Sequence, residues 1–200
     1  MKIALAHACA TLLLLSSAGV ALAGEQGTRQ SISVVSSAFE DGEMIPAEFT
    51  ADGKNVSPPL SWSDLPEGTQ EIALILEDSD ALTPQPFVHW LMYKIPGTAT
   101  GLPSAVPAGV TVNIPGLLGA IQGVTGFGTL RPEGSPRVAP GYRGPAPPPG
   151  NPHEYRFKIY ALSDPVEAAD GLDKASLLEA MEGKVIGEGE IVGLYERQVN

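Results

Sequence analysis

Residues 155–162 alternate without interruption, with Tyr155, Phe157, Ile159 and Ala161 on one side and Arg156, Lys158 and Tyr160 on the other. Only an extended strand, whose side chains point to opposite faces in turn, sorts such a stretch into an apolar and a polar face. Carried back two residues, the same period puts Glu154 on the polar face and His153 on the apolar face beside Tyr155. Residues 71–77 form a second run of strand length, apolar between two glutamates. In residues 87–95, Phe87, His89, Leu91, Tyr93 and Ile95 are expected on one face and Val88, Trp90, Met92 and Lys94 on the other. Both faces are largely apolar, as in an inner strand. Residues 32–35 read as an edge strand and 185–195 as a last strand. Residues 57–62 are extended, because each proline pushes its predecessor out of the helical region. Residues 52–55 signal a turn. The one good helix runs over 173–182, with Asp173 as N-cap, Leu177, Leu178 and Met181 as its stripe and Gly183 as its stop. Strands dominate, so the class is mainly β, in one domain over residues 24–200.

The first 23 residues read as a cleaved export signal. Lys2 gives a positive start, residues 3–20 are mostly apolar, and Ala21, Leu22 and Ala23 make a small-x-small cleavage site. The expected location is therefore periplasmic or secreted. Cys9 is the only cysteine and leaves with the signal, which removes disulfides, thiolate catalysis and cysteine-based zinc sites from the mature chain. The formal charge is −11, and one unit more negative without Lys2. Such a surface repels nucleic acid and anionic lipid, and no second segment is long and apolar enough for stable membrane insertion. Residues 96–152 are rich in Gly and Pro yet too apolar in places for a linker, so a long functional loop is expected there. Residues 129–140 read as an exposed insertion.

Two stretches hold the chemistry. Asp78 and Asp80 precede the His89–Trp90 pair, and a rigid Pro/Gly loop over 141–152 leads directly into His153 and Tyr155. Taken singly, a histidine on an apolar strand face is usually a satisfied core residue, and an Asp pair at a strand end is usually a turn. Together they offer two imidazoles that gain charge near pH 6–7, a phenolic donor and loop N–H groups around one small polar pocket. A carboxylate fits such a pocket when it orients a histidine by accepting its N–H.

Residues 55–62 (Asn-Val-Ser-Pro-Pro-Leu-Ser-Trp), 78–81 (Asp-Ser-Asp-Ala), His89–Trp90, Gln122–Gly123, Phe127–Gly128, 141–150 and 153–155 (His-Glu-Tyr) occur in the order found in the phosphatidylethanolamine-binding protein family. The chain resembles the bacterial, Raf-kinase-inhibitor-like branch of that family across nearly its whole mature length. The resemblance implies an antiparallel β-sandwich with a few peripheral helices, one near the C-terminus, and a small pocket for phosphate or a phospho-headgroup. It implies ligand-binding roles for Asp78, Asp80, His89, Ala146, Pro147, His153 and Tyr155. The chain departs from the family pattern in three places: Ser79 and Leu82 replace prolines of the Asp motif, Glu154 replaces the Arg between His and Tyr, and Val124, Thr125 and Gly126 replace the charged middle of a Gly-Arg-Asn-Asp-Phe-Gly stretch. By the alternation above, Glu154 faces away from the pocket.

The expected function is an exported, non-enzymatic protein that binds a small anionic or phosphate-bearing ligand, with no cofactor, and that inhibits or regulates a partner protein. The alternative is a metal-dependent hydrolase built on His89, His153 and Asp78 or Asp80. No nucleophile motif accompanies either reading.

Overall fold

The computed structural model describes residues 29–129, 138–167 and 170–197. The export signal expected over 1–23, and all but the ends of the insertion expected over 129–140, lie outside them.

Among the described residues ten strands follow one another: β1 (Gln30–Ser31), β2 (Ser33–Val35), β3 (Glu43–Met44), β4 (Leu60–Ser63), β5 (Glu71–Asp78), β6 (Phe87–Pro96), β7 (Gly101–Leu102), β8 (Ile121–Gln122), β9 (His153–Leu162) and β10 (Val185–Tyr195). A 3-10 turn covers Ala47–Phe49, a short helix α1 covers Gly126–Thr129, and α2 covers Lys174–Met181. The large sheet has the order β1-β10-β9-β5-β6-β8, with β3 also on β10; a small sheet has the order β2-β4-β7. The long strands pair antiparallel, while the two-residue strands β1 and β3 join β10 in parallel. As expected, β2 is an edge strand. Among the described residues, no helix is long and apolar enough to cross a membrane.

The large sheet is covered on both faces, which explains why β5 and β6 read as apolar throughout. One face packs against the small sheet through Leu74, Leu76, Trp90, Met92, Tyr155, Phe157 and Ile159, which meet Leu60, Trp62 and Leu102. The other face, with Ala73, Ile75, Leu91 and Tyr93, packs under α2 through Leu177 and Met181. Leu178, placed on the helix stripe by sequence, is 41% exposed. Adjacent helical positions lie about 100° apart, and here Leu177 takes the buried position while Leu178 turns toward solvent. Asp173 caps the helix as expected, its side chain accepting the Ser176 N–H at 2.9 Å. Glu77, on this same side, pairs with Lys158 (2.5 Å) and with Lys174, tying the start of α2 to the sheet. Burial pushes the Glu77 carboxyl up, but the two ammonium groups outweigh it and hold it below its ordinary value.

The strict alternation expected over 87–95 fails, and the pairing shows why. Ile72 opposes Ile95 while Leu74 opposes Met92, and Leu76 opposes Trp90 while Glu77 opposes Val88. Strand β6 therefore carries an extra residue twice, first at His89 and again near Lys94. A β-bulge places two residues against one and re-aims the side chains beyond it. Trp90, Met92 and Ile95 consequently share the small-sheet side, while Val88, Leu91 and Tyr93 take the α2 side. The second bulge has a clear anchor: Lys94, at φ +54°, donates its N–H to the buried Glu71 carboxylate at 2.9 Å.

Candidate functional site

The site lies where β5 ends and β6 and β9 begin. Cross-strand pairing puts Tyr155, Asp78 and Phe87 in one row, because Asp78 opposes Tyr155 on β9 and Phe87 on β6. Strand β9 starts at His153, early enough for the alternation to hold, so His153 and Tyr155 share a face. Glu154 points the other way and pairs with Arg156 at 2.5 Å.

Asp78 is buried, and its carboxylate takes three hydrogen bonds. Two come from His153 Nδ1, at 2.8 Å to Oδ2 and 3.1 Å to Oδ1, and one from the Asp80 N–H at 2.9 Å. The last closes a turn in which the side chain of one aspartate caps the main chain two residues on, which suits a motif whose prolines are replaced. A carboxylate on Nδ1 fixes the tautomer of His153 and directs Nε2 away from Asp78. Asp80 itself is exposed, and its Oδ2 accepts the Glu154 N–H at 2.8 Å. It ties the end of β5 to β9 rather than adding a carboxylate beside the imidazoles.

His89, the bulged residue, is buried and paired reciprocally with Arg143. Its Nδ1 lies 2.8 Å from the Arg143 carbonyl oxygen, and its own carbonyl accepts the Arg143 N–H at 3.1 Å. A carbonyl only accepts, so Nδ1 carries the proton and Nε2 is left as the free ring nitrogen. The ring stands edge-on to Phe87 (5.3 Å), Phe127 (5.4 Å) and Tyr155 (5.3 Å). Burial pushes the His89 imidazole below its ordinary value, against the opposing pull of the Arg143 carbonyl and the Asp78 charge. Arg143 lays its guanidinium over Phe127 at 5.8 Å.

Tyr155 is the anomaly. It is fully buried, and among the described residues its hydroxyl is the only buried side-chain polar atom without a hydrogen-bond partner. Burial first, and then the Asp78 charge, push its phenol far above the ordinary value, so it stays a donor. Leaving such a group unpaired costs about 1–3 kcal/mol. The Asp78 carboxylate and the main chain of Ala146 lie near enough to act on the phenol, but neither meets it in good hydrogen-bond geometry. Ala146 is half-buried and Pro147 buried in the loop that runs along the site.

The structure thus brings together Asp78, His89, His153 and Tyr155, with the Ala146 main chain beside them, and turns Asp80 to a structural bond. Sequence reasoning missed Arg143, whose carbonyl holds His89, and the ring wall of Phe87 and Phe127. Among the described residues no three His, Cys, Asp or Glu side chains are gathered as a metal site. A separate, mainly apolar cavity of about 660 Å³ shares Phe87 as a wall and is lined by none of the seven residues expected from sequence.

Comparison with known proteins places the chain by sequence and by fold. The sequence model described as phosphatidylethanolamine-binding protein matches residues 35–196. A UPF0098 protein of Methanothermobacter thermautotrophicus is 43% identical over 161 residues, covering 80% of this chain and 95% of its own. A UPF0098 protein of Aquifex aeolicus is 37% identical over 82% of this chain and 88% of its own. Among solved structures, a phosphatidylethanolamine-binding protein homologue, CT736 from Chlamydia trachomatis, superposes with a TM-score of 0.70 at 30% identity, over 84% of this chain and 99% of that one. YbcL of E. coli, described as a member of the mammalian family, gives the same TM-score, identity and coverage.

Proposed function

The chain belongs to the phosphatidylethanolamine-binding protein family, and from that premise we propose that it is an exported, non-enzymatic binding protein for a small oxyanion, phosphate or a phospho-headgroup. The oxyanion lies between His89, His153, Tyr155 and the main chain at Ala146. The rim of that cleft contacts and regulates a partner protein. One observation carries the reading: a fully buried phenol that stays protonated and, among the described residues, makes no well-formed hydrogen bond even though Asp78 and the Ala146 main chain lie near it. An oxyanion supplies the missing acceptor. Two imidazoles, each fixed at Nδ1, turn their second nitrogen to the same ligand and favour it most when cationic. The leader-like residues 3–23 support export.

Thermal melting against phosphate, phosphoethanolamine and sulfate tests the reading. Phosphate is expected to raise the melting temperature with concentration, adding about 2.7 kcal/mol at 100 times its Kd. Tyr155→Phe abolishes most of that shift while leaving the ligand-free protein at least as stable, because it removes an unpaired buried hydroxyl. A melting temperature indifferent to all three anions would sink the proposal.

The pH dependence has a definite sign. The His89 imidazole is depressed in the folded chain, so below about pH 6.5 the unfolded chain takes up a proton that the folded chain resists. His89 therefore lowers stability as pH falls. An anion that favours the imidazolium opposes this loss, so the phosphate-dependent shift is expected to grow from pH 7.5 to pH 5.5. Melting scans across that range check it.

A further inference from the structure

The loop over the site is held by a second loop that the reading above leaves without a role. Asn55 takes the left-handed conformation at φ +56°, which Asn tolerates better than most residues. Its side-chain Oδ1 accepts the Gly144 N–H at 2.7 Å. That N–H belongs to the same planar peptide group as the Arg143 carbonyl, which accepts His89 Nδ1–H at 2.8 Å. Asn55 and His89 therefore grip opposite ends of one peptide plane. Polarisation through the plane strengthens both bonds, and the tilt of the plane sets where the imidazole points.

Neighbouring contacts make the grip specific. Ala51 N–H donates to the Pro145 carbonyl at 3.0 Å, and the Tyr142 hydroxyl donates to the Phe49 carbonyl at 2.5 Å. The two main chains run so close that a Cβ on Gly144 would lie 2.4 Å from the Phe49 oxygen and 2.7 Å from Thr50 Cα. Asp52, in the same turn, receives the Tyr195 hydroxyl at 2.9 Å and two guanidinium nitrogens of Arg197. The turn is thus tied to the end of the chain on one side and to the site loop on the other.

We propose that Asn55 is the positioning residue of this site: its Oδ1 pins the 143–144 peptide so that the Arg143 carbonyl holds His89 in the Nδ1–H tautomer with Nε2 free for ligand. The inference rests on the anion-site reading for its effect on affinity, but its effect on His89 can be read without any ligand.

The test compares Asn55→Gly with Asn55→Asp. Both residues accept a positive φ, so the backbone is spared, and only Asp keeps an acceptor oxygen at the side-chain position. Imidazole nitrogen NMR of His89 gives its tautomer, and phosphate titration gives Kd. Asn55→Gly is expected to mix the His89 tautomers and weaken phosphate binding about tenfold, the size of one lost hydrogen bond. Asn55→Asp is expected to restore the tautomer. Unchanged tautomer and affinity in Asn55→Gly, or equal loss in both variants, would overturn the proposal. Should Asn55→Gly fail to fold, amide exchange at Gly144 in the unaltered protein decides: protection is expected, and exchange at the unfolded-chain rate overturns it. A native protein that ignores phosphate refutes the anion reading, while the tautomer comparison still tests this one.

Discussion

Alanine at Trp90 is expected to cost about 4 kcal/mol of stability, within the range for deleting a buried aromatic side chain. Trp90 is fully buried on the small-sheet side of β6, with its ring edge-on to Tyr142 at 5.5 Å. Its Nε1–H donates to Gln122 Oε1 at 2.7 Å, and the Gln122 amide donates in turn to the carbonyls of Pro107 and Gly109. Removing the indole opens a cavity and leaves Gln122 Oε1 buried without a donor. It also frees Tyr142, which anchors the loop carrying Arg143 and Ala146, so phosphate binding weakens along with the fold. Trp90→Phe separates the two effects: it retains most of the packing and loses the N–H, for about 1–3 kcal/mol. Denaturant unfolding of both variants checks this. A Trp90→Ala protein within 1 kcal/mol of the parent, on the scale of ordinary surface changes, would contradict it.

Asp78→Ala is the second large effect. It strips the acceptor from His153 Nδ1 and from the Asp80 N–H together, for about 2–3 kcal/mol. The strand ends that carry the site then lose their link, since Asp78 also sits between Tyr155 and Phe87. Deleting a carboxylate beside an anion would by Coulomb's law improve binding. The account predicts the opposite, a loss of at least about tenfold in phosphate affinity, because the imidazole is no longer oriented. Asp78→Asn, which retains one acceptor oxygen, is expected to fall between. Unfolding and phosphate titration of the two variants measure both quantities. Tighter phosphate binding in Asp78→Ala would show that Asp78 acts only as a repelling charge.

Much of this molecule was legible in its sequence, for identifiable reasons. The alternation of β9 is uninterrupted because its two faces see different surroundings, the inner core and the flank that carries Glu77. That same regularity located His153 beside Tyr155 and turned Glu154 outward. Strand β6 was legible as buried but not in its facing, because its two bulges arise from pairing with β5, and local composition does not encode them. Asp80 looked like a pocket carboxylate because spacing cannot tell a side chain aimed at a ligand from one that, like Asp80 on the Glu154 N–H, ties two strands together. Arg143 and Asn55 escaped because they act through a main-chain peptide, where the side-chain type of Arg143 is irrelevant. Gly144 is glycine because two segments of the main chain nearly touch there, but a glycine in a Gly/Pro-rich loop does not by itself single out that position.

The most direct measurement follows the imidazole nitrogens of His89 and His153 by NMR while phosphate is added to the native protein. With three histidines in the chain the assignment is tractable. The account predicts that both imidazoles shift along one saturating curve with a single Kd, and that Tyr155→Phe moves that curve to higher concentration. Histidine signals that stay fixed while phosphate reaches saturating levels for any ordinary site, or that drift without saturation, would contradict it.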